Sequence, residues 1–264
     1  MSVERVAFVA HPAKPEASTM LVELTSWLAE RGIDTSDEHP DLVISLGGDG
    51  TMLRAAADAH RSDALLLGVN FGALGFLTEV DAGQEHVALE KVLAGSFEVE
   101  ERMMLECEVF GDGLDQRHVG LNEILVERSD RYRLVRLRVK VNEESLTVFN
   151  ADGVMVATPT GSTAYALSAG GPIISPRAEA LEIVPVSPHM IFSRPFVLAP
   201  DDEVTIEIVD SAVVASLSLD GHLGCPLEPG ARVVVRRHPR PLRLVRLAGP
   251  DFLQRLRTKL KLPE

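Results

Sequence analysis

Apolar and polar positions along the chain follow two regimes that meet near Phe97. Before that point, short β-branched runs alternate with helical patterns. Arg5–Ala10 reads as a first strand, followed by a loop through His11–Pro15. Ala17–Arg31 predicts a helix with Met20, Leu21, Leu24 and Leu28 on one face and Gly32 as its stop. A short polar connection, Ile33–Pro40, leads to Leu42–Leu46, a run of the buried-strand type, and Met52–His60 then predicts a second helix with Thr51 as its cap. Leu65–Val69 predicts another strand, Asn70–Gly75 a glycine-bearing turn, and Gln84–Ala94 a helix ending at Gly95. Such alternation predicts an α/β domain over residues 1–97 with a parallel sheet, whose ligands sit beyond the carboxyl ends of the strands.

From residue 98 the period changes to that of strands. Glu98–Phe110, His118–Glu127, Leu134–Val141, Val154–Thr158, Val197–Leu198, Val204–Val209, Ala212–Leu219 and Arg232–Arg237 are short strand-like runs divided by Gly, Pro, Asn or Asp. Only Thr163–Ala169 and Pro176–Ile183 read as helical between them. Residues 98–242 therefore predict a mainly-β domain. The tail begins as a strand (Leu242–Leu247) and ends as a basic helix (Asp251–Leu260), and residues 243–264 are expected to return to the first domain. There are no repeats and no low-complexity segment.

Charge sharpens this picture. The net charge is −13, yet residues 231–264 hold ten Lys/Arg against Asp251 and Glu264, which leaves −21 on residues 1–230 (sixteen basic against thirty-seven acidic). So acidic a body argues against nucleic-acid binding, and a polyanionic ligand there needs Mg²⁺ or local arginines. The tail mixes its charges with apolar residues at helical spacing, so it reads as an amphipathic element docked on the acidic body rather than a nucleic-acid patch. Cys107 and Cys225 form no CxxC pair and no zinc spacing. With no membrane-length apolar run and no signal peptide, a cytoplasmic protein is expected. Apolar strand edges in the β half predict self-association, as a homodimer or homotetramer.

Candidate chemistry centres on Asp41–Thr51, DLVISLGGDGT. A strand, a tight turn through Gly47, Gly48 and Gly50, and a helix start gather free N–H groups that favour an anion such as phosphate. The turn carries Asp49 and no lysine, so it is not a GxxxxGK[ST] loop. One reading is phosphoryl transfer to a hydroxyl with Asp49 as the base; the other is an aspartate that caps a helix. Ala151–Ile173, ADGVMVATPTGSTAYALSAGGPI, places a hydroxyl-rich turn and Tyr165 after a strand. It can line a pocket for a polar heterocycle or ribose, or it can be a capped helix with Tyr165 in the core. In Gly120–Val126, Asn122 and Glu123 both reach a ligand only if the backbone bends between loop and strand; otherwise the segment is a turn. Arg131, Arg133, Arg136 and Arg138 can neutralise a pyrophosphate or form a solvated strand face. Eight scattered histidines form no metal spacing, and there is no GxGxxG and no GxSxG.

In this order GGDGT, GLNEILV, DGVMVATPTGSTAYALSAGGPI, VPVSPHMIFSRPFVL and Asp220–His222 resemble the NAD kinase family, and LRTKLKL is similar to that family's C-terminal helix. The resemblance covers most of residues 41–260. It implies transfer of a phosphoryl group from ATP, or from inorganic polyphosphate, to the 2′-hydroxyl of the adenosine ribose of NAD⁺, with Mg²⁺. By the same resemblance Asp49 is the proton acceptor, and Gly50 and Arg54 line the NAD site. Asn122, Glu123 and Asp152 hold the dinucleotide, Asp152 from its own or a neighbouring subunit. Thr163, Ala164, Tyr165, Ala166, Leu167 and Ser168 wall the base and ribose, Arg133 and His222 add contacts, and Gly47, Gly48, Gly50 and Thr51 meet the donor phosphates. Many relatives have glutamine at the place of His222, some a basic residue at Asn150, and a larger polar side chain at Ala73. The rival readings are a GGDG-type kinase for a lipid or sugar, with an apolar channel or sugar-phosphate pocket in place of the Thr160–Tyr165 wall, and a dinucleotide sensor without turnover.

Overall fold

The computed structural model describes residues 3–72, 75–111, 114–130, 132–209, 214–247, 249 and 251–263. Ala73, Arg131 and the first two residues of the Ala212–Leu219 run lie outside them. The chain divides into two compact units, residues 1–102 with 241–264, and residues 103–240.

The first unit is built on one sheet. Its strands are β1 (Arg5–Ala10), β2 (Asp34–Thr35), β3 (Leu42–Gly47), β4 (Leu65–Asn70), β5 (Val80–Asp81) and β6 (Glu98–Arg102), and the helices are α1 (Pro15–Ala29), α2 (Asp49–Ser62) and α3 (Glu85–Leu93). The tail returns as expected. Its strand Leu242–Arg246 inserts between β4 and β6, parallel to β4 and antiparallel to β6. The order is therefore β2-β1-β3-β4-returning strand-β6, with β5 beside β4. Every residue of β3 and β4 is buried, the pattern of central strands in a parallel sheet. Leu24 and Leu28 of α1 pack on Leu42, Ile44, Leu65 and Leu67, while Met20 and Leu21 are only partly covered.

The second unit holds β7 (Leu105–Gly111), β8 (Leu114–Gly120), β9 (Glu123–Arg128), β10 (Val135–Val141), β11 (Glu144–Ala151), β12 (Gly153–Ala157), β13 (Leu181–Val186), β14 (Phe196–Leu198), β15 (Val204–Ile208), β16 (Ala215–Leu219), β17 (His222–Leu227) and β18 (Arg232–Arg237). They form two antiparallel sheets, β11-β10-β15-β18-β7-β8 and β14-β13-β12-β9-β16-β17. Side chains from both sheets, among them Leu105, Val109, Leu137, Ile124, Val156 and Ile183, share one core. The second sheet is also covered on its other face. There Leu125, Met155 and Val184 pack against Ala166 of a short helix, Tyr165–Ser168.

Several sequence expectations need correction. Pro176–Ile183 is not helical: a turn precedes β13, which is buried on both faces, and such a run has no period to tell strand from helix. Glu98–Phe110 is two strands in different sheets, broken at Met103–Met104. The helical reading of Thr163–Ala169 shrinks to a 3₁₀ turn at Gly161–Thr163 and the single turn Tyr165–Ser168. β11 and β17 have no counterpart in the sequence pattern, since Glu144–Ala151 and His222–Leu227 carry the polar, glycine and proline residues that read as loop.

Candidate functional site

In the first unit β3 delivers the chain to the glycine turn. A Cβ on Gly47 would lie 2.2 Å from Thr51 Oγ1, so the strand end and the first turn of α2 meet where no side chain fits. The helix starts three residues earlier than expected, at Asp49, with Gly48 in extended conformation at its N-cap. Thr51 is consequently not a cap. Its hydroxyl is buried and has no partner among the described residues. Arg54 lies farther along α2, partly buried, with its Nε likewise unpartnered among the described residues.

Asp49 is held from three directions. Its Oδ2 accepts the Phe76 N–H at 2.9 Å, its Oδ1 accepts the Leu77 N–H at 3.1 Å, and Lys259 Nζ stands 3.3 Å from Oδ2. Gly75 completes the enclosure, since a Cβ there would sit 2.1 Å from Asp49 Oδ1. The amides come from the loop that follows β4, and that loop is itself pinned. Arg255, 3% exposed, donates to the carbonyls of Gly75 (3.0 Å) and Thr78 and pairs with Glu79 Oε2 at 3.1 Å. Glu79 also receives Arg246 at 2.9 Å and the amides of Leu247 and Gly249. A buried carboxylate with that many donors is stable where a lone one would not be. The Asn70 amide closes the near end of the turn on the Gly72 carbonyl at 2.9 Å.

In the second unit the bend needed at Asn122 is present. β8 ends at Gly120 and β9 starts at Glu123, and the amides of Leu121, Asn122 and Glu123 all point at the Asp220 carboxylate (2.8, 2.6 and 3.2 Å). Asp220 and Gly221 occupy the tight turn between β16 and β17 with φ of 50° and 74°, as an Asp-Gly hairpin turn requires. Burial pushes the Asp220 carboxyl up, and the three amides act against that shift. Glu123 has no such support. Burial, with the Asp220 charge beside it, raises its pKa to about 8, and its Oε2 is buried with no partner among the described residues. At neutral pH this side chain is a carboxylic acid able both to donate and to accept.

The sequence leaves two readings open for the hydroxyl-rich turn, and the hydroxyls of Thr158 and Ser162 follow the structural one, bonding within the fold. Thr158 donates to the Leu121 carbonyl (2.6 Å) and Ser162 to the Pro159 carbonyl (2.7 Å), while Ser162 accepts from the Ile174 N–H at 2.9 Å. Gly161 lies directly against the Asn122 carbonyl, where a Cβ would approach within 2.1 Å. The turn thus braces Asn122. Ala166 is buried on the sheet, so it can meet a ligand only through its backbone. Thr163, Ala164 and Leu167 are half-buried, and Tyr165 and Ser168 are exposed. Tyr165 lines a cavity of about 610 Å³ together with Glu127, Arg128, Asp152, Ser216 and Cys225. Burial raises the Tyr165 phenol, and the charges of Glu127, Asp152 and Glu123 add to the shift. Asp152 does not stand alone there, because Arg128 Nε pairs with it at 2.9 Å. Arg133 and His222 are exposed and do not line this cavity.

Two family models match. The ATP-NAD kinase N-terminal domain covers residues 32–97 and the ATP-NAD kinase C-terminal domain residues 121–247. An NAD kinase of Heliobacterium modesticaldum is 40% identical over 97% of this chain and 86% of its own length, and one of Gemmatimonas aurantiaca 41% identical over 92% and 85%. The chain belongs to the NAD kinase family. Among solved structures, yeast NADH kinase complexed with NADH superposes with a TM-score of 0.89 at 26% identity, covering all of this chain and 89% of the yeast one. An NAD kinase from Archaeoglobus fulgidus in complex with ATP has the same fold, with a TM-score of 0.79 at 24% identity over 97% and 98% of the two chains.

For an NAD kinase, the sequence pattern hides the groups that hold the named residues in place. Phe76, Leu77 and Gly75 sit in a turn with no polar signal, Arg255 and Lys259 look like ordinary basic residues of a tail helix, and Asp220 stands out only as part of a motif. Among the described residues no three His, Cys, Asp or Glu side chains gather as a metal site, and Asp49 is the carboxylate at the glycine turn. That donor set fits a Mg²⁺ held largely by nucleotide phosphates and water rather than by a protein cage. Also among the described residues, no helix is long and apolar enough to cross a membrane.

Proposed function

We propose that the chain transfers the γ-phosphoryl group of ATP to the 2′-hydroxyl of the adenosine ribose of NAD⁺, giving NADP⁺ and ADP, with Asp49 accepting the hydroxyl proton. The observation that carries this reading is the state of the Asp49 carboxylate. Oδ2 has two donors, but Oδ1 has the Leu77 N–H as its one partner among the described residues, which leaves acceptor capacity on that oxygen for a ribose hydroxyl. The position at the start of a fourteen-residue helix beside Gly47, Gly48 and Gly50 supports donor phosphates nearby. In the second unit, the Glu123 acid, whose Oε2 has no partner among the described residues, Asn122 and the exposed face of Tyr165 offer hydrogen bonds and a stacking surface for the nucleoside. Asp152, already paired with Arg128, serves as an acceptor of fixed orientation, whether for its own subunit or a neighbour in a homodimer or homotetramer. Mg²⁺ neutralises phosphate charge when bound and would meet the Gly47–Thr51 turn; inorganic polyphosphate is the alternative donor.

The test is NADP⁺ formation from NAD⁺, ATP and Mg²⁺, repeated with polyphosphate and with NADH. Asp49→Asn lowers kcat by at least ~10²-fold, the usual scale of general-base loss, while NAD⁺ binding by calorimetry stays within a few-fold. Turnover near the wild-type value in that variant removes Asp49 from the proton transfer.

A further inference from the structure

We infer that Lys259, from the C-terminal helix Phe252–Leu260, is a positioning residue for the phosphoryl transfer: it occupies Oδ2 of Asp49 and so leaves Oδ1 as the atom that accepts the proton. The inference rests on the reading of Asp49 given above and adds a residue to it. The glycine turn contains no lysine of its own, and Lys259 brings an ammonium to it from 210 positions away in sequence.

Three observations converge. Lys259 Nζ lies 3.3 Å from Asp49 Oδ2 and 4.5 Å from the centre of the Phe76 ring, whose own amide donates to the same oxygen. The ring face and the carboxylate thus fix the ammonium from two sides. Next, Arg255 lies one turn before Lys259 on the same side of the helix, and it binds the carbonyls of Gly75 and Thr78 that flank the two amides holding Asp49. Finally, no leucine of the helix is fully buried. Leu253 and Leu260 are 63% and 39% exposed, and Arg255 is the helix's buried residue. A helix whose buried residue is Arg255, with Phe252 and Leu256 only half-buried and the Phe252 ring 6.4 Å from that of Phe76, presents Arg255 and Lys259 to the loop that holds Asp49.

In the transfer, O2′ bonds to the γ-phosphorus as the bond from phosphorus to the ADP oxygen breaks, and the O2′ proton passes to Asp49 Oδ1. Lys259 takes no proton and makes no bond. It prevents the carboxylate from rotating so that Oδ2, instead of Oδ1, faces the hydroxyl. Without it, two amides alone hold a group that must keep near-attack geometry, and a misplacement of about 1 Å costs ~10²-fold in rate.

The experiment compares wild type, Lys259→Met, Lys259→Arg, Lys259→Ala and, as a control on the same tail, Lys261→Met. Expected for Lys259→Met is a kcat lower by ~10²-fold with the NAD⁺ KM within about threefold. Its melting temperature stays within about 2 °C, because a partly exposed pair contributes little to stability. Lys259→Arg recovers most of the loss, added ethylammonium restores Lys259→Ala saturably, and Lys261→Met behaves as wild type. An active wild type with an unaffected Lys259→Met overturns the inference alone. So does a loss that neither arginine nor ethylammonium relieves and that follows the melting temperature, since that marks a merely structural role. A wild-type protein that makes no NADP⁺ overturns the functional reading and this inference together.

Discussion

Gly75→Ala tests how closely the Asp49 geometry is set. The added Cβ would fall 2.1 Å from Asp49 Oδ1 and 2.6 Å from Thr78 Oγ1, whereas ordinary contact begins at 3.4 Å. The carboxylate therefore has to move by on the order of 1.3 Å, or the loop must move with it. Asp49 cannot yield freely, because the amides of Phe76 and Leu77 hold it at 2.9 and 3.1 Å and Arg255 holds the Gly75 carbonyl at 3.0 Å. A displacement of that size predicts a ~10²-fold fall in kcat, equivalent to about 2.7 kcal/mol of transition-state stabilisation. Overpacking also costs roughly 1–3 kcal/mol of stability, enough to lower the melting temperature but not to unfold a protein of ordinary stability at 25 °C. Steady-state NADP⁺ formation at 25 °C, with NAD⁺ varied at saturating ATP, separates the two effects: kcat falls while the NAD⁺ KM changes by no more than a few-fold. A kcat within threefold of wild type would refute the reasoning, because it would mean that the loop accommodates a methyl group without moving the Asp49 carboxylate.

Glu123→Ala should raise the NAD⁺ KM by ~3- to 10-fold with a smaller change in kcat, the scale of a neutral hydrogen bond, since Glu123 with a pKa of about 8 is uncharged at neutral pH. An unchanged KM would show that this acid does not touch the dinucleotide. Glu182 is fully buried in β13 with both oxygens unpartnered among the described residues, and burial raises its pKa to about 7 from the 4.5 of an ordinary glutamate. A raised carboxyl contributes most to stability below pH 4.5 and loses that contribution as pH rises to about 7, a loss of roughly 3 kcal/mol over the window. Glu182→Gln should therefore be more stable than wild type in urea melts at pH 8 and lose that advantage by pH 4.5; parallel pH profiles for the two proteins would sink that account.

The α/β half was legible because β3 and β4 are short apolar runs followed by glycine turns, and the helices between them keep a 3.6 period. The returning tail strand was legible for the same reason. β13 was not, because burial on both faces erases alternation, and β11 and β17 were not, because a hairpin strand facing solvent on one side carries the residues of a loop. At the site, Asp49, Asn122 and Glu123 stood out by residue type. Their supports did not, since a backbone amide, a glycine under a carboxylate and a buried arginine on a carbonyl leave no signature until the chain is folded. Thr158 and Ser162 show the converse. Hydroxyls of a type that can line a pocket instead fasten the turn to Leu121, Pro159 and Ile174.

The uneven charge of the sequence has the same kind of answer. An acidic body with a basic tail invites a search for an anionic macromolecule, yet at least six of the tail's ten cations already pair with carboxylates. In the second unit Arg236 pairs with Glu106, Glu108 and Glu203, and Arg237 with Glu179. In the first, Arg243 pairs with Asp63, Arg246 with Glu79 and Glu100, Arg255 with Glu79, and Lys259 with Asp49. A nucleic-acid surface requires cations free to displace counterions along a phosphate backbone, and a cation committed to a carboxylate has little to release. The asymmetry therefore records a fold in which the last strand and helix bring positive charge back to acidic residues laid down far earlier, Asp49 among them. The glycine turn that carries Asp49 has no lysine of its own, and its cation arrives by tertiary contact from Lys259, where sequence motifs cannot show it.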